Sequence, residues 1–175
     1  MAVSLTSLRA AAPASAARQS VADYFELTKP KVQTLLLLTT VATMEVAGSP
    51  PVSKIALTCL GGYLSAGGAG AVNHYFDRDI DALMARTASR PVPAGRIAPR
   101  SALAFGLALA ALSFVLMSLT INVLAASLAL GGFVGYVGVY TLWLKRRTPQ
   151  NIVIGGAAGA MPPLVGWAAA RGSLS

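Results

Sequence analysis

Charge is thin in this chain, and negative charge is thinnest. Of 175 residues only 6 are Asp or Glu and 14 are Lys or Arg, so charged residues make up 11%. Soluble domains carry about 25%. With 55% hydrophobic residues and a mean hydropathy of +0.63, an ordinary soluble fold is excluded. Cys59 is the single cysteine, which excludes an intrachain disulfide and a cysteine metal cluster. The apolar runs lack strict alternation, which excludes barrel strands. Residues 1–20 contain no unbroken apolar stretch, so a cleaved secretory signal is not expected.

What is present is a series of apolar runs near the ~20 residues that cross a bilayer. Five are expected to be membrane helices, over about 32–48, 55–76, 102–120, 123–143 and 151–170. The fold class expected is therefore all-α and polytopic. Ser49-Pro50-Pro51 separates the first two runs, and Met161-Pro162-Pro163 should kink the last. Residues 1–23 are expected to form a cytosolic, disordered tail. Their first twenty, Ala- and Ser-rich with Arg9 and Arg18 and no acid, also have the composition of a transit peptide.

The net charge of +8 would suggest nucleic acid in a soluble protein. Here its placement points to membrane topology instead, and lipid is expected as the surrounding partner with no nucleic acid. If all five runs cross, twelve basic residues lie on one side: Arg9, Arg18, Lys29, Lys31, Arg78, Arg86, Arg90, Arg96, Arg100, Lys145, Arg146 and Arg147. Only Lys54 and Arg171 lie opposite. The positive-inside rule then puts the N-terminus and the 77–100 loop in the cytoplasm.

The chemistry sits at the end of the second run, in Asn73-His-Tyr-Phe-Asp77-Arg-Asp-Ile-Asp81. Intramembrane or membrane-edge acids are costly unless something uses them. Asn73, Asp77 and Asp81 follow at i, i+4 and i+8, which stacks three oxygen-bearing side chains on one helix face. Hard oxygen ligands suit Mg²⁺, which binds through one or two carboxylates plus substrate phosphates. Arg86 and Arg90 follow closely, and guanidinium groups match phosphate oxygens. Lys29, Lys31 and Lys145 are further basic residues at the same membrane edge. Asp79 falls off the stripe and could reach the metal or pair with Arg78. His74 is either an ordinary polar contact or an iron ligand. Tyr136, Tyr140 and Trp143 are either interface anchors or π-faces for a cation. The small-residue stretches Ser65–Gly70 and Gly155–Ala160 either pack helices or leave room for an apolar substrate.

Asn73, Asp77 and Asp81, continuing through Arg86-Thr87 and Arg90-Pro-Val-Pro-Ala-Gly-Arg96, resemble the first aspartate motif of the UbiA superfamily of intramembrane prenyltransferases. Leu27-Thr-Lys-Pro-Lys31 and the long string Tyr140–Gly156, followed by Ala157–Pro163, resemble its haem-farnesylating branch. The resemblance implies a bundle of about nine helices and transfer of farnesyl from farnesyl diphosphate to a vinyl group of haem B, giving haem O for terminal oxidases. Other acceptors, a quinone ring or chlorophyllide, remain open, as does a membrane transporter. It implies Mg²⁺ held by Asn73, Asp77 and Asp81, which would be the catalytic set. Arg86, Arg90, Lys31 and Lys145 would bind substrate. A haem A synthase or a terminal-oxidase assembly factor is the implied protein partner. A bacterial inner membrane is the implied location, ahead of the mitochondrial one. The superfamily uses a second aspartate motif, but no acid follows Asp81. Residues 24–175 are thus expected to be the N-terminal part of the enzyme, inactive alone.

Overall fold

The computed structural model describes residues 13–175. Residues 1–12, which carry most of the transit-peptide-like composition, lie outside the described residues. Among those described there are helices and turns and no strand. α1 covers Pro13–Leu27, α2 Pro30–Gly48, α3 Val52–Phe76, α4 Arg78–Leu83 and α5 Pro99–Thr120. α6, Val123–Val134, runs on into a π-helical segment, Gly135–Leu144. The last run is α7 (Asn151–Gly155), a 3-10 segment (Gly156–Ala160) and α8 (Met161–Arg171).

Four of these stretches are long and apolar enough to cross a membrane: Val52–Phe76, Pro99–Thr120, Val123–Leu144 and Asn151–Arg171. The first expected run sits in α2, a 19-residue helix outside those four. Lys31, Gln33 and Glu45 dilute its apolar content. The tail expected to be disordered as far as residue 23 is instead helical from Pro13. Its end is fastened: Leu27 is fully buried and Asp23 accepts from Arg96 Nε at 2.9 Å.

In a bilayer, apolar surface gives helices little reason to associate, so packing and internal hydrogen bonds must do it. Both are visible here. A Cβ placed on Gly68 of α3 would lie 2.6 Å from Gly106 O of α5. One on Gly106 would lie 2.6 Å from Gly68 O and 3.0 Å from Val72 N. The two backbones touch, and only glycine permits it. Gly166 of α8 approaches Thr40 O of α2 in the same way. Hydroxyls add cross-links: Ser65 Oγ donates to Ala129 O at 2.8 Å, and Ser113 Oγ to Gly61 O at 2.7 Å. Asn122 makes the tight α5–α6 turn, its Oδ1 accepting from Ala125 N and its Nδ2 donating to Ala168 O.

The expected kink in the last run takes a different form. Pro162 lies in the first turn of α8, where a missing N–H costs nothing. The irregularity lies before it, in the 3-10 turn of small residues Gly156–Ala160.

Candidate diphosphate and metal site

α3 ends at Asp77, whose backbone N–H donates to Asn73 O at 2.9 Å. Asp81 N then donates to Asp77 O at 2.8 Å, so the helical spacing survives the change from α3 to α4. Asn73, Asp77 and Asp81 are all buried, at 3%, 1% and 4% exposure. Three cations from three separate segments meet them, one to each. Lys29 Nζ donates to Asn73 Oδ1 at 2.6 Å. Lys145 Nζ pairs with Asp77 Oδ2. Arg90 NH1 pairs with Asp81 Oδ2 at 2.7 Å. Asn73 Nδ2 also donates to Asp77 Oδ2 at 2.6 Å and to Thr141 Oγ1 at 3.3 Å.

The local folding that delivers each cation is distinct. Lys29 has φ 54°, in the left-handed region, immediately before Pro30 opens α2. That turn sends its side chain inward. Arg90 rides on a compact loop whose Thr87 hydroxyl donates to Asp81 O at 2.8 Å, and whose Pro91, Val92 and Ile97 are buried. Arg96 fixes the same loop to α1 by bonding Asp23.

Lys145 arrives through the π-helical segment. In an α-helix of 3.6 residues per turn, nine positions are two and a half turns, so Tyr136 and Lys145 would face opposite sides. The i→i+5 bonding of a π-helix takes a little over four residues per turn, which makes nine positions about two whole turns. Lys145 N donates to Tyr140 O at 2.9 Å in that wider register. Tyr136, Thr141 and Lys145 consequently share one face. The Thr141 hydroxyl donates to Tyr136 O at 3.1 Å while accepting from Asn73.

The cluster holds three cations against two carboxylates, a net charge of 3 − 2 = +1. The crowding is felt by Lys29, which is pushed down to about 8, first by burial and then by Arg90, with Lys145 adding to it against Asp77 and Asp81. Asp77 Oδ1 is buried with no hydrogen-bond partner. A fully buried carboxylate oxygen left without a donor is unusual and calls for an explanation. Among the described residues no three His, Cys, Asp or Glu side chains converge as an all-protein metal cage. Two carboxylates, an amide oxygen and an open lone pair are nevertheless what Mg²⁺ needs when phosphate completes its shell. The residues present fit the ion.

The other sequence candidates fall elsewhere. Lys31 and Arg86 are exposed and make no side-chain hydrogen bond or ion pair among the described residues. Asp79 pairs neither with the stripe nor with Arg78. It takes two bonds from Arg146, at 2.7 and 3.0 Å, and Arg146 holds its carboxyl below the usual range. Arg78 lies over the Tyr75 ring at 4.6 Å. His74 is buried with Nδ1 unpaired. Trp143 is 54% exposed, as an interface anchor would be. Lys29 and Thr141 enter the cluster more directly than the sequence suggested. The nearest sequence signal was Lys29 standing before Pro30, since proline favours the first turn of a helix and so marks Lys29 as the residue just outside it.

Inward of the cluster lies an apolar cavity of about 350 Å³, with Lys29 at its wall beside Leu36, Ala69, Phe133, Tyr136 and Met161. The small residues of the sequence divide between two tasks. Gly68 packs backbone on backbone, whereas Gly62, Gly70, Gly155 and Gly159 line this space.

The structure is thus that of a helical membrane protein with a buried oxygen stripe, matching cations and an apolar cavity. The sequence places it more closely: the model of the UbiA prenyltransferase family matches residues 35–175, and the chain belongs to that family. It is 57% identical over 158 residues to a protoheme IX farnesyltransferase of Symbiobacterium thermophilum, covering 89% of this chain and 53% of that protein. The protein of that name from Trichodesmium erythraeum is 56% identical, with 87% and 47% covered. That from Sinorhizobium fredii is 51% identical, with 89% and 49% covered. The chain spans about half the length of these curated relatives. A solved structure of digeranylgeranylglyceryl phosphate synthase shares the fold, with a TM-score of 0.77 at 24% identity over 87% of this chain and 54% of that one.

Proposed function

We propose that this chain supplies the diphosphate-binding part of an enzyme that transfers farnesyl from farnesyl diphosphate to a vinyl group of haem B, giving haem O. The observation that carries this is the cation-rich cluster around Asn73, Asp77 and Asp81, set at the mouth of an apolar cavity. The anion of an allylic diphosphate matches the first and its tail the second. Relatives named protoheme IX farnesyltransferase, 51–57% identical, support haem as the acceptor.

In the reaction, the C–O bond to diphosphate breaks and its electron pair leaves on the diphosphate. The vinyl π-electrons of haem form the new C–C bond. Water adds to the cation left on the neighbouring carbon and loses a proton to solvent. Asn73, Asp77 and Asp81 would hold Mg²⁺, which supplies charge neutralisation for the leaving diphosphate when bound. Lys29, Lys145 and Arg90 would turn from the carboxylates toward phosphate oxygens, a preorganised positive site where negative charge develops. The apolar cavity keeps water from the allylic cation until the C–C bond is made. Arg86 would meet diphosphate oxygens, and Lys31 diphosphate or haem propionates, as the substrates approach. A haem A synthase or oxidase assembly factor would take the product onward.

The test is Mg²⁺-dependent binding of a non-hydrolysable farnesyl thiolodiphosphate by the chain reconstituted in lipid. We expect binding that EDTA abolishes. Binding that ignores Mg²⁺, or transport of an ion without any affinity for the diphosphate, would overturn the reading. The chain carries one acidic stripe where the resemblance implies two, so binding rather than turnover is the measure.

We infer that α2 crosses the membrane together with the four longer apolar helices, so that the twelve-to-two charge distribution turns the site toward the cytoplasm of a bacterial inner membrane. In a Cys59→Ala background, Ser89→Cys should react with an impermeant thiol reagent only from the cytoplasmic side, and Ser53→Cys only from the other. Labelling of both from one face would refute the inferred topology.

A further inference from the structure

The turn that delivers Lys29 to Asn73 is held against the local preferences of the chain. A left-handed backbone is costly for a residue with a Cβ, and a following proline drives its neighbour toward extended backbone. Lys29 has φ 54° and ψ 57°, with Pro30 directly after it. The residue before it, Thr28, is buried and bonded through both its side chain and its backbone. Thr28 Oγ1 donates to Phe25 O at 2.7 Å and lies 2.7 Å from the Tyr63 hydroxyl. A threonine hydroxyl has one proton, here given to Phe25 O, so Tyr63 is the donor to Thr28. The Thr28 backbone oxygen accepts from Gln33 Nε2 at 3.0 Å. Tyr63, Gly67 and Gly70 follow at i, i+4 and i+7 on one face of α3. That face receives the turn. A Cβ on Gly67 would lie 3.1 Å from Thr28 Cβ, and one on Gly70 would lie 3.0 Å from Leu27 O and 3.6 Å from the Lys29 stem.

We propose that Tyr63 is a positioning residue for the diphosphate site: its hydroxyl, acting through Thr28, holds the left-handed turn that keeps the Lys29 ammonium group at Asn73. The inference rests on the diphosphate site proposed above. Tyr63 stands ten residues before Asn73 on the same helix, about 15 Å along its axis, so it acts at a distance from metal and phosphate. Its whole effect passes through the backbone of the turn. Without its bond Thr28 is less firmly seated on α3, and Lys29 relaxes toward the extended conformation that Pro30 favours. A change of dihedral at position 29 swings a long side chain, and the ammonium group leaves Asn73 Oδ1. The cations at Asp77 and Asp81 come from other segments and stay in place. The loss is therefore confined to the Lys29 contribution, which separates positioning from a general loosening of the helices. Gln33 belongs to the same clamp but also lines the apolar cavity, whereas Tyr63 does not, so Tyr63 tests the clamp apart from the tail.

The experiment is a double-mutant cycle on the chain reconstituted in lipid, reading the Kd of farnesyl thiolodiphosphate at saturating Mg²⁺. Lys29→Met keeps the stem and removes the charge. It should raise Kd about tenfold or more, as the loss of a hydrogen bond from a charged group does. Tyr63→Phe keeps the ring and removes one oxygen. It should raise Kd about fivefold, as the loss of a neutral hydrogen bond does. Added to Lys29→Met, Tyr63→Phe should raise Kd no further, because the side chain it positions has gone. Thr28→Val should act as Tyr63→Phe does, and the two together should be no worse than either alone. Should Tyr63→Phe not fold, Thr28→Val completes the same cycle with Lys29→Met. Effects that multiply in the Lys29→Met, Tyr63→Phe double variant would show that Tyr63 acts independently of Lys29, a merely structural role, and would overturn the proposal. An unchanged Kd in Tyr63→Phe or in Lys29→Met would overturn it too, while leaving the stripe of Asn73, Asp77 and Asp81 as the binding site. Failure of the unaltered chain to bind the thiolodiphosphate would instead sink the underlying diphosphate reading.

Discussion

Asp77→Ala should abolish Mg²⁺-dependent binding of an allylic diphosphate, raising its Kd by a hundredfold or more. Even partners outside the metal's own shell are worth ~10–100-fold in affinity, and Asp77 is proposed as a direct ligand. Its removal has a second effect. Lys145 loses its carboxylate, and Lys29, Lys145 and Arg90 then face one another with only Asp81 between them. Asp77→Asn separates the two contributions. It preserves shape and keeps an oxygen for Lys145, but it removes the charge that would hold a dication. We expect a loss nearly as large as with alanine. Asp81→Ala should behave similarly, and Asn73→Ala should leave residual binding because a neutral amide contributes less. Isothermal titration with the thiolodiphosphate at saturating Mg²⁺ reads these values. Near-normal affinity in the Asp77→Ala, Asp81→Ala double variant would show that the stripe is not the metal site.

The largest effect on stability is expected at the α3–α5 contact. Gly106→Ala introduces a Cβ against Gly68 O and Val72 N, both backbone atoms that cannot rotate away. Overpacking of a close-packed site costs ~1–3 kcal/mol and occasionally more, and a rigid neighbour puts this one at the upper end. In a chain of this size ~1 kcal/mol moves a thermal midpoint by roughly 2–4 °C. Gly106→Ala should therefore lower the midpoint in detergent by about 5–10 °C, and Gly106→Leu should prevent accumulation of folded protein. Gly159→Ala, with open space around its Cα, serves as the control and should change the midpoint little. Equal midpoints for Gly106→Ala and Gly159→Ala would mean that the two helices do not meet as described.

The sequence was most informative where spacing alone determines geometry. An i, i+4, i+8 series of Asn73, Asp77 and Asp81 lies on one face of any helix, and the turn at Asp77 does not disturb it. Apolar length and the break at Ser49-Pro50-Pro51 likewise marked the long helices, whereas α1 was not foreseen. Side chains that reach the cluster from other segments were legible only in part. Lys29 and Lys31 flank Pro30 and look equivalent in sequence, but the left-handed backbone at Lys29 sends one inward and leaves the other exposed. Arg90 and Arg86 divide the same way, because the buried Thr87–Ile97 loop fixes the first alone. Asp79 was harder still, since its partner Arg146 is 67 residues away. Tyr136 and Lys145 could not be placed together by periodicity. A 3.6-residue reading separates them, and nothing in the local letters announces a π-helical turn.

The backbone at Lys29 has a consequence for how this protein can change. A left-handed conformation costs a non-glycine residue of order 1–3 kcal/mol. Glycine or asparagine would sit there at ease, but neither has an ammonium group to offer Asn73. Position 29 is thus a place where comfort of the chain and usefulness of the side chain point to different residues. Selection for thermal robustness alone would drift away from lysine there, and selection for the site would pull it back.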